Sequence, residues 1–167
     1  MRSSVRLLAA LALLALIGCD QATKALARDA LVSSPPVSLL GGAVRFQYAE
    51  NPGAFLSLGA GLSPRWRFLL GVVFSGAALV ALAVFAARSA QLSTAQRLSL
   101  GLVVAGGLGN LIDRLANDGR VVDFVSVGIG SLRTGIFNIA DMAITAGVLV
   151  AVVAGLKNSE EPETGGS

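Results

Sequence analysis

The sequence predicts an all-α membrane protein: four transmembrane helices, a small strand-bearing cap after the first and an outer loop before the last. Three observations point there. More than half of the 167 residues are apolar (54%) and only 14% are charged, against roughly 25% charged in a soluble domain. The apolar residues gather into runs of about 20, the length that crosses a bilayer. Ionisable side chains nevertheless fall inside those runs, where they are costly and mark function.

The elements follow in order. A first span runs from about Val5 to Ala27, behind the basic start Met1-Arg2-Ser3-Ser4-Val5-Arg6. Within it, Leu16-Ile17-Gly18-Cys19 looks like a lipobox, the mark of lipoprotein processing. The apolar helix continues past Cys19, however, and Asp20 and Lys24 stand at i, i+4 with the acid first, placed to pair along one face. The expectation is an uncleaved helix with Cys19 as a small packing residue. The next forty residues hold Pro35-Pro36, Gly41-Gly42 and the alternating Val44-Arg45-Phe46-Gln47-Tyr48, which reads as a small cap containing a strand. A second span covers about Phe68 to Ala87, and a polar link from Arg88 to Arg97 leads to a third, about Leu98 to Leu115. Ala116 to Gly135 is expected to hold a short interfacial helix or a lid. A fourth span covers about Ile136 to Leu156. Residues 1–157 are thus expected to form one membrane domain, and 158–167 a disordered acidic tail.

Composition also excludes. The net charge of +3 comes from Arg scattered between spans, not from a basic face that would bind nucleic acid. A single Cys makes neither a disulfide nor a metal cluster, and the absence of His removes Ser-His-Asp triads, Cys-His dyads and the usual zinc-peptidase helix. The Lys and Arg count does not orient the chain: Arg2, Arg6, Arg88, Arg97 and Lys157 fall on one side, and at least as many Arg on the other. The start resembles a signal anchor, which puts the N-terminus inside.

The polar residues inside the spans are Asp20, Lys24, Asn110, Asp113, Arg114, Asn138 and Asp141. At 1.5 Å per residue, Asp20 lies about 22 Å from Val5, Asp113 about 22 Å from Leu98, and Asp141 about 8 Å from Ile136. Three helices thus bring carboxylates to nearly one level, just under the outer surface. In Gly106-Gly107-Leu108-Gly109-Asn110-Leu111-Ile112-Asp113-Arg114 the glycines allow close helix contact, and Asn110, Asp113 and Arg114 share a face. A packing helix with a terminal salt bridge would also satisfy this pattern. Asn138 and Asp141, at i, i+3, share a face and also suit a helix N-cap. Asn51-Pro52-Gly53-Ala54-Phe55 reads as a turn. Asp123, between Val122 and Phe124, is either a solvated loop acid or one held against the bilayer surface.

Taken together, Asp20-Gln21-x-Thr23-Lys24, Asn51-x-Gly53-Ala54-Phe55, Gly106-Gly107-x-x-Asn110-x-Ile112-Asp113-Arg114, Val121-x-Asp123-Phe124 and Phe137-Asn138-x-Ala140-Asp141 resemble, in this order on four spans, the lipoprotein signal peptidases (signal peptidase II). Each motif alone is weak; five in order, covering Asp20 to about Ile144, are specific. One departure is Leu56, between Phe55 and Ser57.

The resemblance implies an aspartic endopeptidase of the bacterial inner membrane, with both termini cytoplasmic and the active site near the periplasmic face. Its substrates would be diacylglyceryl-modified prolipoproteins, cut just before the lipidated Cys. It implies Asp123 and Asp141 as the catalytic pair, no metal and no organic cofactor. Asn51, Gly53, Asn110, Asp113, Arg114, Asn138 and Ala140 match other motif positions and are expected to bind substrate or support the dyad, while Asp20 and Lys24 brace the bundle. The Val44–Tyr48 strand and the Ala116–Gly135 loop would cradle the substrate's lipid. A monomer among membrane lipids is expected, with no nucleic-acid partner. The chemistry is compatible: two close acids share a proton, one activates water and the other donates. Three rivals remain: a small proton-coupled transporter or channel component, a Ser57–Lys24 hydrolase, and a lipoprotein lipidated at Cys19.

Overall fold

The computed structural model describes residues 3–53 and 61–160. Four of its helices are long and apolar enough to cross a membrane. Helix α1 spans Ser3–Leu31, α2 Pro64–Arg88, α3 Thr94–Ala116 and α4 Ile139–Glu160. Their outward faces carry exposed Leu, Val and Phe, such as Leu14, Phe74, Val80 and Val153, as lipid-facing helices require. The first helix passes unbroken through Cys19. Helix α2 has a π-helical stretch at Leu69–Phe74. Helix α3 starts at a reciprocal capping box between Ser93 and Gln96.

Helix α3 packs most extensively on α4, and its glycines explain why. A Cβ on Gly106 would collide with the backbone carbonyl of Ala140, and one on Gly109 would lie 2.7 Å from Asp20 Oδ2. The absence of side chains there lets α1 and α4 close on α3. Lower in the bundle, the buried Ser99 hydroxyl donates to the Gly147 carbonyl at 2.8 Å.

The residues between the spans build one four-stranded antiparallel sheet in the order β1-β2-β3-β4. Its strands are β1 (Val37–Leu39), β2 (Val44–Asn51), β3 (Val121–Ile129) and β4 (Leu132–Arg133). The expected strand at Val44–Tyr48 is present and longer. The expected interfacial helix or lid within Ala116–Gly135 is not: that segment is β3 and β4. The reason lies in Val121-Val122-Asp123-Phe124-Val125, a β-branched and aromatic run that suits a strand. Val121 and Val122 are almost completely buried. Phe137 is bridged to Val125, so α4 begins at Ile139 and not at the expected Ile136.

Cys19 also needs correction. It is exposed on α1, where a packing residue was expected. It lies about 100° around the helix from Asp20, on a flank where a Cβ added at Gly18 would meet nothing within 4 Å. The buried stripe belongs to Asp20, Lys24 and Ala27. Ala54, Phe55, Leu56 and Ser57 lie outside the described residues, as do positions 161–167 of the expected tail.

Candidate active site

Polar side chains from three helices and two strands meet where the sheet caps the bundle. Asp123 is on β3, whose register sets Asp123 opposite Ala49 and Val121 opposite Asn51. Asn51 and Asp123 are therefore diagonal neighbours across the two strands, and Asn51 Nδ2 donates to Asp123 Oδ2 at 3.1 Å. Asn51 Oδ1 accepts the Gly53 backbone N–H at 3.0 Å, the Asx turn expected of this Asn-Pro-Gly stretch. Arg114, in the last turn of α3, donates to the Gly53 carbonyl at 3.0 Å. Helix and strand together thus hold the turn that holds Asp123.

Asp141 is in the first turn of α4. Asn138 caps that helix: the Asp141 backbone N–H donates to Asn138 Oδ1 at 2.9 Å, and the Asn138 N–H returns to Asp141 Oδ2 at 3.3 Å. The capping alternative is therefore real, and the same pair belongs to the site. Asn138 is fully buried. Its Nδ2 donates to Asp123 Oδ1 at 2.7 Å and also to the Val122 carbonyl and Asn110 Oδ1. One amide therefore binds both candidate catalytic residues. Asp141 Oδ1 accepts from Asn110 Nδ2 at 2.8 Å.

Behind this layer lies an ionic one. Lys24 Nζ is 2.8 Å from Asp20 Oδ2 and 3.2 Å from Asp113 Oδ2, all three nearly inaccessible. The expected Asp20–Lys24 pair is present. Asp20 Oδ1 accepts the Ala140 backbone N–H at 2.9 Å, satisfying a donor at the start of α4. Asp113 Oδ2 accepts the Val122 N–H at 2.9 Å, tying β3 to α3. Ala140 is buried where a larger side chain would meet Gly109.

The structure therefore brings together Asp20, Lys24, Asn51, Gly53, Asn110, Asp113, Arg114, Asp123, Asn138, Ala140 and Asp141 in one network. Gln21, outside the expected site residues, joins the same network. Its amide donates to Asp20, Asp113 and the Gly109 carbonyl, and its place inside Asp20-Gln21-x-Thr23-Lys24 was the available signal. Asp123 is not a solvated loop acid, being only 2% exposed. Burial, and then the Asp141 charge, push its carboxyl up from 3.8 to about 6, against the Asn51 and Asn138 hydrogen bonds. Beside Asp141 opens an apolar groove of about 570 Å³, lined by residues including Val127, Phe137, Met142, Thr145 and Leu149.

The signal peptidase II family profile matches residues 12–157, which include every residue of this network. The chain belongs to the signal peptidase II family. It is accordingly a membrane aspartic peptidase. It is 39% identical over 138 residues to the lipoprotein signal peptidase of Desulforapulum autotrophicum, covering 82% of this chain and 84% of the relative. It is 37% identical over 155 residues to that of Xanthomonas euvesicatoria, covering 89% and 87%. Its fold is similar to that of a bacterial membrane enzyme solved by the in meso method at 2.3 Å resolution, with a TM-score of 0.81 and 28% identity over 95% of this chain and 93% of that one. Signal peptidase II membership accounts for intramembrane carboxylates that a transporter would also carry. The Ser57–Lys24 alternative meets a Lys24 whose Nζ is already engaged by Asp20 and Asp113.

Proposed function

We propose that this signal peptidase II cleaves diacylglyceryl-modified prolipoproteins on the N-terminal side of the lipidated Cys, with Asp123 and Asp141 activating a water. The carrying observation is the convergence of both carboxylates on Asn138, beside an apolar groove that reaches Asp141. The groove suits acyl chains or the apolar signal peptide, and water would approach from the sheet side. Asp141 is at a helix N-terminus, where the backbone dipoles favour negative charge; Asp123, on a strand, has no such field and carries the shared proton. Asp141 then takes a proton from water as the oxygen attacks the scissile carbonyl. Asp123 donates to the carbonyl oxygen, forming a neutral tetrahedral diol. Collapse of the diol breaks the C–N bond. The amine leaves with a proton from Asp141, and the second diol hydroxyl returns one to Asp123, restoring the dyad.

Arg114 and the three Asn side chains orient the dyad and the substrate backbone. The enzyme works as a monomer in the bacterial inner membrane, with both termini cytoplasmic and the sheet at the periplasmic surface. It needs no metal or organic cofactor. The test is incubation of purified protein with a diacylglyceryl-modified precursor and its unlipidated counterpart, with the new N-terminus read by mass spectrometry. Cleavage of the lipidated form alone, leaving the modified Cys first, is expected. Equal cleavage of both, or a cut elsewhere, would overturn the proposed specificity.

A further inference from the structure

The three amides around the carboxylates are not free to face either way. A backbone N–H can only donate, so the Gly53 N–H fixes Asn51 Oδ1 and the Asp141 N–H fixes Asn138 Oδ1. In each case the NH₂ is left facing Asp123. No substitution other than proline removes those two anchors. Asn110 differs, because its one-way donor is a side chain. Lys24 Nζ lies 3.0 Å from Asn110 Oδ1, and an ammonium has three donors and no acceptor. Asn110 must therefore turn its oxygen to Lys24 and its NH₂ to Asp141 Oδ1. Reversed, it would set NH₂ against an ammonium and oxygen against a carboxylate.

The Asn138 amide also donates to Asn110 Oδ1, but its two N–H groups are shared among three acceptors. It can give up this bond and keep the Val122 carbonyl and Asp123. Lys24, on the oxygen, thus sets the direction together with the Asp141 carboxylate on the NH₂. Two contacts to Asp20 and Asp113 already satisfy it as an ion-pair partner, and the third, to Asn110, points at the site.

We propose that Lys24 is a positioning residue for the cleavage reaction: by fixing which way the Asn110 amide faces, it keeps an N–H donor on Asp141. The proposal rests on Asp123 and Asp141 being the catalytic pair. It separates Lys24 from Asp20, whose contacts run to the start of α4, Gln21 and Lys24 itself.

The test compares Lys24→Met with the double variant Asp20→Asn/Lys24→Met. The single variant leaves both Asp20 and Asp113 buried without their cation, so its fold is at risk. The double variant also removes the Asp20 charge, the oxygen of the replacement amide still accepting the Ala140 N–H, while Asp113 keeps its Gln21 and Val122 donors. Cleavage of a diacylglyceryl-modified precursor is followed on folded protein, separating kcat from KM, with thermal unfolding in detergent alongside. The expected result is a double variant that folds, with kcat lower by about 10- to 100-fold and KM within about twofold. A brace alone would let the double variant recover wild-type kcat, and that recovery would overturn the proposal. Failure of the double variant to fold would overturn it too, by making the pair a condition of folding. Asp123→Asn and Asp141→Asn are assayed beside it. Cleavage by either would sink the dyad itself, whereas inactive dyad variants beside a fully active double variant would sink only the role of Lys24.

Discussion

Asp123→Asn should remove activity and yet stabilise the fold at neutral pH. The native carboxyl, 2% exposed, is pushed from 3.8 to about 6 by burial and by Asp141. Charging it in the folded state therefore costs about 3 kcal/mol relative to the unfolded chain. For an acid whose folded pKa is raised, that cost is absent below 3.8, where both states are protonated. It grows between pH 3.8 and about 6 and is complete above 6. The replacement amide escapes it but introduces a clash of its own. Both Asp123 oxygens accept from amide NH₂ groups, those of Asn138 and Asn51, and an Asn here offers one oxygen and one NH₂. The mismatch costs about 1–2 kcal/mol, less if the half-buried Asn51 turns aside. The net expectation is a variant more stable than wild type by about 1–2 kcal/mol at pH 7 and slightly less stable at pH 3.5. Equilibrium unfolding in mixed micelles at the two pH values measures it. A variant less stable than wild type at pH 7, with no crossover toward acid, would refute the claim that Asp123 is held at an energetic cost for its chemistry.

Other outcomes follow from the same geometry. The fall of kcat/KM with rising pH should have its midpoint near 6, where free-enzyme Asp123 loses its proton; a flat profile from pH 5 to 8 would remove it as the acid. Asn138→Ala takes a hydrogen bond from Asp123 and the cap from α4. It should lower kcat at least about 100-fold and stability by about 2–4 kcal/mol, read by cleavage rate and thermal unfolding. Gly109→Ala sets a methyl 2.7 Å from Asp20 Oδ2 and 3.3 Å from the Ala140 Cβ. The expected loss is about 1–3 kcal/mol, although Ala favours a helix over Gly; a more stable variant would show that the helices need no such close approach.

Much of the site was legible because it is local. Asp20 and Lys24, Asn110 with Asp113, and Asn138 with Asp141 are each set by helical spacing, and each pair or face appears as expected. Helix lengths placed the three intramembrane carboxylates at one level, and they do converge. What escaped is non-local. Nothing within Val121–Ile129 says that it will pair with Val44–Asn51, at least seventy residues earlier, and an acid inside that run looks solvated until the partner strand is known. Cys19 was misplaced for a related reason. Its neighbours are as apolar as the core, so in lipid the hydrophobic pattern does not tell the buried face from the exposed one. Only the Asp20–Lys24 stripe marks that face, and Cys19 lies off it. Gln21 was passed over because an amide one residue from a charged pair looks incidental, although it links α1 to α3.

The most direct measurement is single-turnover cleavage of one diacylglyceryl-modified precursor by wild type, Asp123→Asn and Asp141→Asn, each shown to be folded. Two carboxylates working on one water predict that both variants fall to background, each on its own. Normal-rate cleavage by either variant would contradict the pairing of Asp123 with Asp141.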